Sequence, residues 1–396
     1  MTGSRKRILF LTGTRADFGK LKPLLSALHG RPEFEVFIFT TGMHMLRRYG
    51  STWEEVERAA LGRIYMFVNQ NSGDSMDAIL AKTVSGLSDL VKEIEPDLIV
   101  VHGDRIEALA GAIVGTFNRT LVAHIEGGEV SGTVDETIRH TVTKLSHLHF
   151  VSNEEAARRL LQLGESLEGI FAIGSPEVDV MSSPDLPSLD EVQRYYGFDY
   201  AEYGVLIFHP VTTEIENIGA QAKCVVDYVL NSHRNFVAIL PNNDDGTQLI
   251  QAEYSRFTDC DRVRLLPSMR FEYYLTMLRH AEFIFGNSSS GVREAAYFGV
   301  PSVNLGSRQA NRSRADSVSD CDFEALEIEK SVRFATMRPR VPQLLFGDGH
   351  SGDRFLEILA GPVPWSIPVQ KSFIDRPVGE ASADAADRTH QWQVQH

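Results

Sequence analysis

Runs of aliphatic and β-branched residues recur along the chain, each bounded by Gly or polar residues. Between them lie stretches in which apolar residues return every three or four positions. The first pattern reads as buried parallel strands and the second as amphipathic helices. Strands are expected at residues 7–12, 36–40, 98–102, 121–125 and 149–152, and again at 204–209, 236–241, 263–266, 282–286 and 302–305. Helices are expected between them, for example over 20–28, 76–94 and 107–117. Strict alternation of strand and helix is the mark of an α/β protein with parallel sheets covered on both faces.

The alternation is interrupted at residues 182–187, Ser-Ser-Pro-Asp-Leu-Pro, a segment rich in turn formers. A linker there separates an N-terminal domain, 1–181, from a C-terminal domain, 188–365. Residues 96–110 and 281–295 echo one another: an apolar strand, a polar loop, then a helix containing Glu-Ala. Two similar doubly wound domains facing across a cleft account for both copies. From about 361 the chain is Pro-rich, and residues 376–396 form a polar tail expected to be disordered.

A chain of 396 residues exceeds what one core usually supports, which agrees with two domains. Apolar content of 43% and charged content of 23% are those of a globular protein. The net charge of −14 argues against nucleic acid as a partner, while leaving room for a nucleotide held by a few local cations. Cys224, Cys260 and Cys321 are scattered and lack metal-ligand spacing, as expected of reduced thiols in the cytoplasm. No run approaches the roughly 20 apolar residues that cross a bilayer. The basic start leads into a strand without a cleavable apolar stretch, so a membrane partner is not expected.

Chemistry concentrates where strands end. His102-Gly-Asp104-Arg105 follows one apolar run. His124-Ile-Glu126-Gly-Gly-Glu129 follows another, with Asp135, Glu136, Arg139 and His140 just beyond. Ligands of open α/β sheets bind beyond the carboxyl ends of strands, so these groups mark a candidate active site. Thr133-Val-Asp135-Glu136 fits a capping box opening a helix on which Asp135 and Arg139, and Glu136 and His140, share faces. Thr12-Gly-Thr-Arg15-Ala-Asp-Phe-Gly-Lys20 lies at a strand-to-helix turn and suits either a phosphate or an ordinary basic helix start. Asn287-Ser288-Ser289-Ser290-Gly291, with Glu294 on the following turn, offers hydroxyls and free N–H groups to a diphosphate, or simply caps a helix. His209-Pro, Pro241-Asn242 and Gly306-Ser-Arg308-Gln309 end strands on the same rim. His140, His147 and His149 invite a metal, but no acidic or cysteine partner completes a zinc pattern.

Taken in order, these motifs resemble those of the hydrolysing UDP-N-acetylglucosamine 2-epimerases of sialic-acid and related nonulosonate biosynthesis. The resemblance runs from Gly13-Thr-Arg-Ala-Asp to Gly306-Ser-Arg-Gln, and the chain beyond about 365 lies outside it. It implies two Rossmann-like domains in a GT-B-like arrangement, with a UDP-linked sugar in the cleft and a homo-oligomer, dimer or tetramer. The reaction it implies eliminates UDP to give a 2-acetamidoglucal and then adds water, with no metal or nicotinamide cofactor. By the same resemblance Asp104, Glu126 and Asp135 carry the acid–base steps. Arg15, Lys20, Arg105, His209, Asn242, Ser288, Ser289, Glu294 and Arg308 hold UDP, and His102, His124 and Arg139 support. Proton transfer at the sugar falls to Asp104 or Glu126 on this reading, with Asp135 assisting. Three alternatives stand beside it: the same chemistry on UDP-2,4-diacetamido-2,4,6-trideoxyglucose, a GT-B glycosyltransferase, which needs an acceptor, and a catalytically silent nucleotide-sugar-binding protein, against which the intact acidic set argues.

Overall fold

The computed structural model describes residues 5–71, 73–130, 134–242, 244–309 and 315–375. Among the described residues, thirteen strands fall into two sheets. The first contains β1 (Lys6–Thr12), β2 (Phe34–Thr40), β3 (Arg63–Met66), β4 (Leu98–His102), β5 (Leu121–Ile125), β6 (Leu148–Val151) and β7 (Ile170–Ala172). The second contains β8 (Gly204–Ile207), β9 (Phe236–Ile239), β10 (Val263–Leu266), β11 (Phe283–Gly286), β12 (Ser302–Leu305) and β13 (Val318–Cys321). Every pairing is parallel. The orders are β3-β2-β1-β4-β5-β6-β7 and β10-β9-β8-β11-β12-β13. The strand order therefore reverses between β1 and β4 in one sheet and between β8 and β11 in the other, and such switch points open a crevice above a sheet.

Because side chains alternate across a strand, each central strand feeds two cores. In the first sheet Ile8, Phe10, Leu98 and Val100 face one layer, while Leu9, Leu11, Ile99 and Val101 face the other. The first layer packs on helix Arg15–Leu28 and the second on helices Met76–Ile94 and Ile106–Phe117. In the second sheet Val205 and Ile207 face one layer, with Leu206 and Phe208 in the other.

One helix lies elsewhere than expected. Residues 188–365 read as a single C-terminal unit, yet Phe355 and Leu359 of helix Ser351–Ala360 sit in the core of the first sheet, and Trp365 and Ile367 pack against it. Phe355 fills the space between Phe10 and Phe150, with ring centroids 6.3 and 4.8 Å away. Its apolar face matches that gap, and nothing local in the sequence distinguishes the two sheets. The returning chain runs beside the outgoing one. Asp179 of helix Pro176–Met181 accepts hydrogen bonds from the N–H groups of Ser351 (3.0 Å) and Gly352 (2.8 Å), and the Ser175 N–H donates to the Phe346 carbonyl oxygen at 2.7 Å. The expected tail, 376–396, lies outside the described residues.

Candidate active site

Both switch points open onto one cavity of about 190 Å³. Gly13, Thr14, Asp17 and Lys20 after β1, and His102, Asp104, Arg105 and Glu107 at the end of β4, line one side. Asp135 adds to this wall, and His209, Asn242, Ser289, Arg308 and Gln309 form the other. The turn at Gly13 lies close against the Glu107 side chain, where a Cβ would stand 2.9 Å from the carboxyl carbon. Thr14 caps the helix by accepting from the Asp17 N–H at 3.1 Å, which directs the helix start into the cavity. A neighbouring space of about 240 Å³ shares Thr14, Lys20, His209, Asn242 and Ser289. Ile239, Pro241, Met269 and Phe271 give it apolar walls, and Ser288 and Glu294 contribute to its polar side.

Asp104 and Asp135 both border the cavity, with side chains 24% and 27% exposed. Arg139, expected to pair with Asp135 along its helix, instead binds Asp104. Asp135 lies 3.4 Å from Arg308 of the second unit. Of the two helix pairs expected, Glu136 and His140 meet, at 3.6 Å. Thr133, the expected cap, lies outside the described residues. Each aspartate is thus held by an arginine from a different element.

Glu126 has a different setting. It is 5% exposed and lies behind His102, not at the cavity wall. His102 is held by Asp17 at Nδ1 (2.7 Å) and by Glu126 at Nε2 (3.1 Å). Burial pulls the imidazole pKa down, but these two carboxylates raise it to about 9, so the ring is a cation through the neutral range. For Glu126 burial works upward, and Arg293, His102 and Lys20 overcome it to hold the carboxyl well below its ordinary range. The residue also sits at φ +62°, a strained conformation for a side-chain-bearing residue that its hydrogen bonds to His102, Ser175 and Arg293 retain. Gly128, at φ +80°, has no room for a Cβ, which would lie 2.4 Å from the Ala156 carbonyl oxygen.

On the opposite wall, the His209 Nδ1 accepts from the Asn242 N–H at 3.2 Å. Burial and then Arg308 and Arg105 push its pKa far down. The ring is therefore neutral and carries its proton on Nε2. Asn287 anchors this arm: its side chain exchanges hydrogen bonds with the His209 N–H (2.7 Å) and carbonyl oxygen (2.9 Å), and its own carbonyl oxygen accepts from Gln309 at 2.8 Å. Glu294 is buried with one carboxyl oxygen lacking a hydrogen-bond partner among the described residues. Burial raises its pKa against the pull of Lys20.

The other expected ligands divide. Arg105 lies at the cavity 3.5 Å from Glu107, with its charge reinforced by acids around it despite burial. Arg15 binds Glu55 at 2.7 Å and reaches Ser268 of the second unit at 3.1 Å. Lys20 lines the cavity, but its ammonium meets Glu177, and Glu294 at 3.6 Å. His124 is fully buried between the Gly103 carbonyl oxygen (2.8 Å) and Thr143 (3.1 Å), with a pKa lowered to about 3, and it shapes the turn carrying Asp104. His147 bonds to the Val122 N–H (3.1 Å) and the Val369 carbonyl oxygen (2.8 Å), and His149 to Glu165 at 3.2 Å. Sequence reasoning does not single out Asp17, Glu107, Glu177, Asn287, Arg293 or Gln309 individually. Asp17, Asn287 and Gln309 lie inside motifs it marks.

The family profile described as UDP-N-acetylglucosamine 2-epimerase matches residues 26–360. A Neisseria meningitidis protein named UDP-N-acetylglucosamine 2-epimerase is 47% identical over 93% of this chain and 99% of its own. A Legionella pneumophila protein named UDP-N,N'-diacetylbacillosamine 2-epimerase (hydrolyzing) is 33% identical over 94% and 98%. In fold, the chain superposes with a TM-score of 0.74 on the Methanocaldococcus jannaschii UDP-GlcNAc 2-epimerase, solved with UDP-GlcNAc and UDP. That match covers 89% of this chain and 99% of that one, at 19% identity. By profile, sequence and architecture together, this chain belongs to the UDP-N-acetylglucosamine 2-epimerase family.

Proposed function

We propose that the protein is a hydrolysing 2-epimerase that converts UDP-N-acetylglucosamine and water into N-acetylmannosamine and UDP. The observation that carries this reading is the shared cavity. Two carboxylates on the first wall, Asp104 and Asp135, face a cationic and hydroxylic second wall built from His209, Arg308 and Ser289. In the adjoining space the apolar walls Ile239, Pro241, Met269 and Phe271 suit a pyrimidine. The Ser288–Ser289 loop suits a diphosphate, and the unpartnered Glu294 oxygen suits a ribose hydroxyl.

In the first step a carboxylate takes the C2 proton, the C1–O bond breaks, and its electron pair leaves with UDP, giving a C1–C2 double bond. Charge accumulates on the departing diphosphate, where the Nε2–H of His209, Arg308 and Arg105 lie ready to meet it. In the second step water adds its hydroxyl to C1 while a proton reaches C2 from the opposite face, which inverts that centre. Asp104 and Asp135 border the space where these transfers occur. Glu126 acts on it through His102, which it holds in place.

The 33% identical Legionella protein supports one second reading, the same steps on a diacetamido-trideoxyhexose nucleotide. The higher identity to the Neisseria protein favours N-acetylglucosamine. Proton NMR of the purified protein with each sugar nucleotide, in deuterated water and without acceptor, separates them. The expected result is N-acetylmannosamine bearing deuterium at C2, with equimolar UDP. A requirement for an acceptor sugar overturns the epimerase reading.

A further inference from the structure

We propose that Arg293 is a positioning residue for this reaction, a latch joining the diphosphate loop of the second unit to Glu126 and, through it, to His102. The inference rests on the functional reading above. The Arg293 backbone N–H closes the loop by donating to the Ser289 carbonyl oxygen at 3.0 Å. Its side chain, 8% exposed, reaches across toward the first unit and the connecting helix. There Nε donates to Glu177 of the connecting helix at 2.6 Å, and one terminal nitrogen donates to Glu126 at 2.5 Å and to the Ser175 hydroxyl at 3.0 Å. The guanidinium face rests on Phe346, 4.6 Å from the ring centroid.

From Glu126 the contacts continue to His102, from His102 to Asp17, and from Asp17 to the Gly13 N–H at 3.1 Å, at the rim of the cavity. Lys20 joins the cluster from helix Arg15–Leu28 through Glu177 and Glu294. Three cations, Lys20, His102 and Arg293, thus face four carboxylates, Asp17, Glu126, Glu177 and Glu294. Buried ion pairs are poor sources of net stability, because desolvation offsets their attraction. They do fix geometry, and a planar fork holds its two carboxylates in one set orientation, which a freely rotating ammonium does not. Placed between the two units and beside the cavity, this cluster has alignment as its use.

The groups facing Glu126 are His102 from β4, Arg293 from the second unit, the Ser175 hydroxyl and Glu177 from the connecting segment, and Lys20 nearby. Their balance keeps Glu126 ionised, and an ionised Glu126 keeps His102 held at both nitrogens. Removing the fork exposes Glu126 to protonation at higher pH.

The test uses the full chain carrying Arg293→Lys or Glu177→Gln, assayed for UDP release across pH alongside thermal melts. Arg293→Lys is expected to lower kcat at least about tenfold with KM within about threefold. Its acid limb should move to higher pH as Glu126 loses its partner. Glu177→Gln leaves Arg293 on Glu126 but loosens its second anchor, so kcat falls several-fold while the acid limb does not move to higher pH, since a like charge beside Glu126 has been removed. A purely structural role changes the melt and the yield but neither kcat per folded molecule nor the limb. Full kcat with an unmoved limb in Arg293→Lys overturns the latch. If that variant does not fold, wild-type kcat in Glu177→Gln overturns it. Wild-type protein that releases no UDP from either sugar nucleotide overturns the functional reading, and the latch with it.

Discussion

Three acids that look alike in the sequence have unlike surroundings in the fold. Asp104 and Asp135 border the cavity, whereas Glu126 stands behind an imidazolium. Asp104→Asn is expected to lower turnover by at least about a hundredfold with UDP still bound, the scale for a positioned acid–base group. Calorimetry with UDP beside steady-state assays checks it, and near-normal turnover removes Asp104 from proton transfer. Glu126→Gln removes one of the two carboxylates that raise His102, so an alkaline limb near pH 9 should move to lower pH. The same shift has a stability sign. The contribution of His102 is full below its free value of 6.5 and is lost as pH rises through about 9. Asp104 and Ser289 are legible in the sequence because each follows an apolar strand. Arg293 is not, because its partners Glu177 and Glu126 lie 116 and 167 residues away and only folding brings them together.

At the scale of elements, the central strands are legible and the margins are not. The ten expected strands all form. β1 and β2 begin earlier than expected, whereas β8 and β9 stop at Ile207 and Ile239, releasing His209 and Asn242 to the rim. The three strands not expected, β3, β7 and β13, are each the edge of a sheet. An edge strand is covered on fewer sides: Arg63–Met66 is exposed at both ends and Val318-Ser-Asp-Cys321 buries only its last residue, while Ile170-Phe-Ala172 is apolar but only three residues long. Helix Ser351–Ala360 falls within the expected C-terminal unit, 188–365, and its destination in the first core is not legible. Phe355→Ala is expected to destabilise the protein by about 3–5 kcal/mol, the usual cost of emptying a fully buried aromatic site. Chemical denaturation should show this with little change in KM, since Phe355 touches the first core and not the cavity. A loss below about 1 kcal/mol argues that the helix detaches readily.

For the molecule as a whole, each unit supplies what the other lacks: carboxylates from the first, hydroxyls and the neutral His209 from the second. Ser289→Ala with Glu294→Ala should therefore raise KM and weaken UDP binding more than it lowers kcat, because both residues lie on the nucleotide side. Unchanged UDP affinity in that double variant places the nucleotide elsewhere. The return of helix Ser351–Ala360 to the first sheet has a mechanical corollary. The chain crosses between the units twice, through 173–179 and 346–352, and the crossings are stitched together by Asp179 and Ser175. A single tether lets two bodies swivel freely. A doubled, cross-tied one behaves like a door on two pins, giving easily along one axis and resisting twist about the others. Such a mounting favours one relative placement of the two walls that line the cavity.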